Sequence, residues 1–340
     1  MTHENTQKKS LVLLSERDRE QVEAMLRQNP VVWRKFQQLT EKLQEELMSF
    51  AMGNCGLKIS YDPFFKMVFN PEIHRERLSR MLSCIMGQRV IVKRALPNES
   101  NRITAEDSLL IMDVLTELES GELVNVEIQK IGYAFPGERA ACYSSDLLLR
   151  QYSRVKGQAG RRFSYRELRN VYTIVLIEKS SLEFHRTQEQ YIHYSNQVFN
   201  TGLKLNLLQK YIFISLDVFQ EMSYTLNREL DAWLLFLSSD KPDDMIRIIE
   251  KYPCFKELYR EIAEFQTKPE ELVNMYSDAL EIMDKNTVQY MIDEQQQEIE
   301  RQRKLVAEKE ELLQKQSAEI ARLKKQLERN SSDRSAHLLR

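Results

Sequence analysis

The chain has 340 residues, and its 49 lysines and arginines are offset by 51 aspartates and glutamates, giving a formal net charge of −2. This length is enough for a sizeable core and for more than one domain. The near-zero charge excludes a protein that is basic over its whole surface, so any surface that binds nucleic acid must be local.

Cysteine usage and hydropathy predict a soluble intracellular protein without a membrane partner. The four cysteines lie far apart and form no CxxC pair, which excludes a disulfide framework and a zinc knuckle (Cys55, Cys84, Cys142, Cys254). The amino terminus is polar, and no apolar run is long enough to span a bilayer. The five histidines have no metal-ligand spacing, and no glycine-rich phosphate loop is found, so no organic cofactor is predicted.

The first part of the chain is predicted to be helical. Apolar residues recur at spacings of three, four and seven between Ser15 and Phe50, with a break at Asn29-Pro30. Ser15 is the expected cap of the first helix. Asp62 precedes Pro63, which predicts a helix N-cap, and an apolar stripe then continues to Met86 with a kink or restart at Pro71.

The next elements alternate between strands and helices. A strand, a hairpin, a helix and a strongly apolar central strand follow in chain order, and two further strands come before a helical region that begins near Arg228. These predicted elements span Arg89–Leu96, Ser108–Lys130, Glu138–Tyr152, Val171–Ile177, Glu183–His185 and Tyr211–Leu216. Gly132–Gly137 is expected to form the turn before the predicted helix.

The hairpin has a polar turn at 119–122 and places two carboxylates close together. Asp113 lies inside the apolar first strand, and Glu127 lies on the polar face of the second strand with Asn125 and Gln129. A charge inside an apolar strand costs several kcal/mol unless a partner compensates it. Two neighbouring carboxylates also repel each other unless a cation lies between them, so this pair predicts a site for a hard metal ion.

Two other acids share the strand face of Asp113. Glu117 and Glu119 approach the turn, and we expect both to be solvated rather than part of the site.

A basic run follows the predicted helix and contains no acidic residue. Its cations are interleaved with Tyr152, Phe163 and Tyr165, a pattern typical of phosphate contact with base stacking. The basic residues are Arg150, Arg154, Lys156, Arg161, Arg162 and Arg166. Gly157 and Gly160 predict a flexible loop here, and the alternative is an ordinary solvated loop.

Three residues on the predicted helix lie on one face, at spacings of four and eight. Arg139, Tyr143 and Gln151 are therefore candidates for contact with a nucleic-acid backbone near the metal site. Arg139 alternatively forms a structural salt bridge.

The last long segment carries an apolar residue every seven positions, with charges of both signs between them. These residues are Ile292, Ile299, Val306, Leu313, Ile320 and Leu327. The positions three residues further on are polar until Leu323, so the seam is half polar. The pattern predicts a modest coiled coil that pairs with a partner chain or with a second copy, and the alternative is a single solvated helix.

The order helix, three strands, helix, strand resembles the PD-(D/E)XK nuclease superfamily. Within it the chain is similar to the nuclease-family transposases, also called recombination-promoting nucleases. The resemblance covers roughly Leu57–Leu237 and rests on four elements that are specific only in combination. They are the D-x-x-F-K-x-x-F element Asp62–Phe69, the Asp strand 111–114, the Glu-x-Gln strand Asn125–Gln129, and the arginine-bearing helix around Arg139 and Tyr143.

The resemblance implies an α/β (α+β) fold with an αβββαβ core around a mixed central sheet. It also implies a metal-dependent DNA endonuclease in the bacterial cytoplasm, associated with the nucleoid when bound to DNA. Asp113, Glu127 and the main-chain carbonyl of Ile128 would bind Mg²⁺, with Mn²⁺ as an alternative.

Where most of the superfamily has a lysine two residues after the glutamate, this chain has Gln129. An amide can orient the attacking water through hydrogen bonds, but it has no positive charge and cannot act as a base. The adjacent Lys130 should point away from Glu127 because side chains alternate along a strand. A further acidic ligand is also typical of the superfamily, and the candidates are Asp62, Glu76 and Glu99.

The predicted organisation is a helical extension (1–55), a nuclease-like core (56–225), a helical region (226–290), a coiled-coil helix (291–330) and a disordered tail (331–340). The preferred hypothesis is a Mg²⁺-dependent endonuclease that acts on mobile DNA or promotes recombination, assembled as a homodimer through the coiled coil. The alternative is a DNA-binding or interaction protein whose nuclease fold has weak or no activity, which Gln129 keeps open. A purely structural helical scaffold is disfavoured, because it does not explain the buried Asp113.

Overall fold

The computed structural model describes residues 14–97, 113–130, 136–186, 190–222 and 225–282, together with residues 299, 301–307, 309 and 313–316. Two compact units divide the chain, Met1–Asn286 and Thr287–Arg340. In the described part of the chain, no helix is both long and apolar enough to cross a membrane.

Three short helices form the start of the first unit. They are α1 (Arg19–Arg27), α2 (Pro30–Gln38) and α3 (Glu41–Met52), and the break at Asn29-Pro30 is confirmed. The prediction that Ser15 caps α1 is wrong. Asp18 forms a capping box with Gln21, whereas the Ser15 N–H donates to Oε1 of Gln266, 2.9 Å away. Gln266 thereby joins the start of the chain to the helices near the end of this unit.

Two helices precede the sheet, α4 (Asp62–Val68) and α5 (Arg75–Met86), with Pro71 in the break between them. The predicted role of Asp62 as an N-cap is wrong, because Tyr61 occupies that position and makes no side-chain cap. Asp62 lies in the first turn instead, and its Oδ2 atom pairs with Nζ of Lys66 at 2.9 Å. Asp62 is therefore part of a charged cluster and does not cap the helix.

A six-stranded mixed sheet forms the centre, in the order β1-β2-β3-β4-β6-β5. The strands β1, β2 and β3 are antiparallel, β3, β4 and β6 are parallel, and β5 is antiparallel to β6. Their bounds are Val92–Ala95 (β1), Val114–Leu118 (β2), Leu123–Gln129 (β3), Val171–Ile177 (β4), Ile192–Tyr194 (β5) and Gln209–Ser215 (β6). The hairpin turn is confirmed, with Gly121 at φ +85° where a side chain would be strained.

The strand predicted at Glu183–His185 is wrong, because these residues belong to the short helix α7 (Leu182–His185). Asp217 accepts hydrogen bonds from both the N–H and the hydroxyl of Ser180, at 2.7 and 2.8 Å. These bonds hold the chain in a turn directly after β4, so the edge strand forms only later, as β5.

Helix α6 (Pro136–Ala159) covers one face of the sheet and is longer than predicted at both ends. Tyr143 and Leu147 pack against Leu115 of β2 and Leu123 of β3. Gly157 lies within the helix, so the predicted loop does not begin there. The chain continues from Gly160, at φ +55°, into 3₁₀ turns at Gly160–Arg162 and Tyr165–Glu167.

The opposite face of the sheet packs against the other helices. The predicted helical region contains α8 (Leu216–Glu221), α9 (Glu229–Ser238), α10 (Pro242–Lys251), α11 (Phe255–Glu264) and helical residues 269–282. One hydrophobic cluster runs from Leu14 to Ala279, so the amino-terminal and later helices share a core with the sheet. The finer division of the chain at residues 55, 225 and 290 stays a prediction.

The described residues of the second unit are helical and exposed. Ile299, Val306 and Leu313, which lie on the seven-residue repeat, are 49, 53 and 61% exposed. Ile292, Ile320 and Leu327 lie outside the described residues, as does the tail from 331. The coiled coil itself stays a prediction.

Candidate metal centre

Asp113 and Glu127 are brought together by the register of the hairpin. Val114 pairs with Val126, so the preceding Asp113 lies opposite Glu127 on the same face of the sheet. The Asp113 N–H donates to Oε1 of Glu127 at 3.3 Å, and Oδ2 of Asp113 accepts the Ile128 N–H at 2.8 Å. The two carboxylates therefore meet at the start of β2, beside the main chain of β3.

The main-chain oxygen of Ile128 points to the same side as its N–H, because both groups of one strand residue face the same neighbour. That neighbour is the Asp113 side, since the Ile128 N–H bonds Asp113. The next carbonyl, that of Gln129, points the other way and accepts the Glu178 N–H at 2.8 Å. The strand thus directs one carbonyl oxygen to the carboxylate pair.

The electrostatics of the pair indicate that nearby cations compensate its negative charge only in part. Burial, Glu127 and Asp62 together raise the pKa of Asp113 well above its usual range, against the opposing effect of Lys66. Burial also raises the pKa of Glu127 to about 7, although Asn125, Arg139 and the Asp113 N–H favour its ionised form. A bound cation would favour both ionised carboxylates, so the pair has the chemistry of a metal site.

Helix α4 contributes an acid and a base to this cluster. Nζ of Lys66 lies 3.3 Å from Oδ1 of Asp113 and 2.9 Å from Oδ2 of Asp62. Asp62 therefore lies beside the pair, as expected of a further acid. Glu76 lines another groove, with Arg80 and Trp233, and Glu99 lies outside the described residues.

Gln129 is buried, and its Oε1 atom has no hydrogen-bond partner among the described residues. A buried amide oxygen without a donor is costly, and a water or ligand in the site would satisfy it. Asn125, on the same strand face, donates its amide to Oε1 of Glu127 at 2.7 Å. Its place beside Glu127 follows from strand alternation, but sequence reasoning gave it no role.

The donor set has the chemistry that hard divalent ions prefer. No group of three or more His, Cys, Asp and Glu side chains in the described ranges is arranged to hold a metal. Two carboxylates and one carbonyl oxygen are all hard ligands, and Mg²⁺ commonly binds one or two carboxylates while it keeps several waters.

The three α6 residues that were predicted to contact a nucleic-acid backbone differ from one another in burial and in contacts. Arg139 donates to the hydroxyl of Tyr143 at 2.9 Å and is close enough to Glu127 to lower its pKa. Tyr143 is buried, and the Arg139 guanidinium lies 5.4 Å from the centre of its ring. Gln151 is also buried, and its Oε1 accepts the Arg169 N–H at 2.7 Å, so its assignment to DNA contact does not fit the structure.

The basic run divides into paired and exposed residues. Arg150 pairs with Asp146 at 2.7 Å, and Arg154 pairs with Glu117 at 2.6 Å. Glu117 was expected to be solvated, but it is buried and also pairs with Arg94 at 2.7 Å. The physical reason is that α6 crosses this strand face and brings Arg154 over it.

The remaining cations form an exposed patch with three aromatic rings. We use the name basic–aromatic patch for Lys156, Arg161, Arg162, Arg166, Tyr152, Phe163 and Tyr165. The ring centroids lie 5.1 to 6.1 Å apart, and Lys156 donates to the Tyr152 hydroxyl at 2.7 Å. Tyr165 is the most exposed of the rings.

Residues 59–295 match the family model described as PD-(D/E)XK nuclease family transposase. The chain belongs to this family. The match contains Asp62, Lys66, the whole sheet and helices α6 to α11, so it extends beyond the predicted end at Leu237. No curated protein and no solved structure matches the chain. Membership supports a function of the nuclease or transposase type, and nucleases of this superfamily generally use divalent metal ions.

The Asp113→Asn variant should be more stable than the wild type in EDTA at pH 8, by about 1–2 kcal/mol. A carboxyl group whose pKa is raised by folding is neutral in both states only below the pKa of the unfolded chain, which is 3.8 for an aspartate. As the pH rises, the unfolded state ionises first, which destabilises the folded state until the raised pKa is passed. Urea unfolding should therefore show a large difference between the two proteins at pH 8 and a much smaller one at pH 4, close to the pKa of the unfolded aspartate.

Asp231→Asn serves as the matched control, because this buried carboxylate is paired with Arg228 and bonded to Tyr191. It should lose stability at pH 8. A wild type that equals or exceeds Asp113→Asn in stability under these conditions would exclude carboxylate repulsion in the metal-free site.

Proposed function

We propose that this chain is a Mg²⁺-dependent DNA endonuclease, able to use Mn²⁺, that hydrolyses phosphodiester bonds and promotes recombination or mobile-element activity. The buried Asp113–Glu127 pair, placed on the hairpin of a nuclease-family fold, is the observation that carries this proposal. A structural role alone does not account for two buried acids that raise each other's energy.

Asp113, Glu127 and the Ile128 carbonyl would hold the ion, with Asp62 and Glu99 proposed as further acids. When bound, Mg²⁺ would polarise the scissile phosphate and lower the pKa of a bound water. Asn125 and Arg139 favour the ionised form of Glu127, which keeps this side chain available as a ligand. Gln129, through its free Oε1 atom, would accept a hydrogen bond from the attacking water and orient it.

DNA would reach the site across helix α6. Arg139, at the start of this helix, lies near Glu127, and the basic–aromatic patch lies at its other end. Exposed arginines suit phosphate contacts, and the exposed ring of Tyr165 suits base stacking. Arg150 and Arg154 are held by acids, so we assign them to the support of this surface. A DNA substrate also places the protein in the bacterial cytoplasm, at the nucleoid.

A DNA-binding protein with weak or no catalysis is the second candidate. The neutral Gln129, which stands where most of the superfamily has a lysine, is the observation that favours it. In that case the acids would hold a structural ion or none, and the basic–aromatic patch would carry the function.

Plasmid nicking by the purified chain tests the proposal. The wild type should cut in Mg²⁺ and not in EDTA, and Asp113→Asn and Glu127→Gln should each lose at least about 100-fold of the rate, because each removes a ligand charge. Glu119→Gln, a change of an exposed acid on the same hairpin, should cut normally. A wild type that does not cut but retains salt-sensitive DNA binding would support the second candidate.

The basic–aromatic patch predicts the surface that binds DNA. The double variant Arg161→Ala/Arg162→Ala should weaken binding several-fold near 0.1 M salt and reduce the slope of log K against log salt by about 0.9 for each lost phosphate contact. Tyr165→Ala should weaken binding to single-stranded DNA more than to duplex. Arg34→Ala, in the exposed face of α2, is the control. Fluorescence anisotropy would measure DNA binding by the wild type and the three variants, and unchanged binding by the double variant would reject this surface.

We also propose a homodimer formed through the coiled coil, since cutting both strands favours two active sites. Val306 and Leu313 are half-exposed apolar residues of the same seven-residue repeat, and a partner helix would cover them.

Light scattering of the full chain should give twice the 40.3 kDa chain mass. Val306→Lys/Leu313→Lys should give the monomer mass, because two charges would enter the seam. Leu305→Lys changes an equally exposed neighbour outside the repeat and should leave the dimer intact. A monomeric wild type, or equal effects of all these substitutions, would contradict a dimer formed through this seam.

A further inference from the structure

The proposed chemistry needs a positively charged side chain that Gln129 does not provide. Cleavage of a phosphodiester places growing negative charge on the phosphate oxygens, and fixed cations next to them lower the barrier. An amide supplies hydrogen bonds but no net charge. The proposed chemistry therefore needs a cation from another part of the chain at the carboxylate pair.

Lys66 is the lysine of the described residues whose ammonium reaches this pair. Its Nζ atom lies 3.3 Å from Oδ1 of Asp113, and its side chain is 32% exposed, so it is both held in the cluster and open to a ligand. Its second partner is Asp62, at 2.9 Å and four residues earlier on the same helix. When Asp113 binds a metal ion, Asp62 would keep the Lys66 ammonium in place.

Two other cations near the pair, Lys130 and Arg139, have other hydrogen-bond partners. Lys130, which follows Gln129 in sequence, donates to Glu178 at 2.6 Å and to Ser60 at 3.1 Å, and its ammonium lies 3.5 Å from the centre of the Tyr61 ring. It therefore lies on the other side of β3, as strand alternation requires. Arg139 donates to the Tyr143 hydroxyl and acts on Glu127, whereas Lys66 is the cation paired with Asp113.

We propose that Lys66 is a further catalytic residue, which supplies from helix α4 the positive charge that Gln129 lacks and contacts the scissile phosphate. This inference rests on the proposed nuclease function and names the cation of the same site. Under this inference Asp62 is a positioning residue for Lys66 and not a further metal ligand.

A catalytic Lys66 has a signature that a structural lysine does not share. In the metal-free protein its ammonium lies against the Asp113 carboxylate, so it competes with a divalent ion for that place. Lys66→Gln should therefore raise the affinity for Mn²⁺, by about threefold to tenfold, while it lowers the cleavage rate at saturating metal by about 100-fold. Loss of a structural lysine would lower both values together.

The test measures Mn²⁺ affinity by electron paramagnetic resonance, plasmid cleavage at saturating metal, DNA binding and thermal stability for the same set of variants. Lys58→Gln is the matched control, because this lysine is 31% exposed and pairs with Glu46 at 2.8 Å. It should keep wild-type cleavage and Mn²⁺ affinity. Lys66→Gln/Gln129→Lys should recover at least tenfold of the lost cleavage, since it returns a charge to the site from β3.

Each outcome decides the inference. Opposite changes in Mn²⁺ affinity and cleavage, with recovery in the double variant, support it. Wild-type cleavage by Lys66→Gln overturns it and leaves the nuclease intact, and so does a parallel loss of metal affinity, cleavage and stability. If the wild type itself does not cut DNA while it binds Mn²⁺, the proposed function fails and the inference fails with it.

Discussion

The repulsion between Asp113 and Glu127 is the constraint on which the rest of the site depends. Burial raises the pKa of both side chains, and the charge of Glu127 raises the pKa of Asp113 further. The surroundings offset this cost in part with the Ile128 N–H, the Asn125 amide and the ammonium of Lys66. These donors reduce the repulsion without removing it, so a divalent ion placed here would favour both ionised carboxylates.

The fold brings these donors together from separate parts of the chain. The hairpin register sets the two acids opposite each other, and strand alternation adds Asn125 and Gln129 on the same face. Helix α6 packs over that face and brings Arg139 near Glu127, while α4 delivers Asp62 and Lys66. Each helix is fixed by its own apolar contacts, so the charged side chains are positioned by packing that does not involve them.

Sequence patterns predicted elements with strong local signals and missed contacts made between distant segments. The strand Val171–Ile177 was predicted to the residue, because a β-branched apolar run fits a strand covered on both faces. Asp113 and Glu127 also followed from pattern, as an acid in an apolar strand beside an acid on its neighbour. The burial of Glu117 did not, because it depends on Arg94 and Arg154, which reach it from β1 and α6. Lys66 was missed for the same reason.

Charge along the sequence is a poor guide to the charge that a ligand meets. Six cations without an intervening acid suggested one continuous DNA-binding surface, yet Arg150 and Arg154 each bond an acid from elsewhere in the fold. Helical periodicity explains the division, since residues four apart share a face and this face turns toward the sheet. The cations beyond Gly160 leave that helix and are free of the constraint. The exposed cations thus begin at Lys156 in the last turn of α6 and continue past Gly160, and the helix supports one end of the basic–aromatic patch.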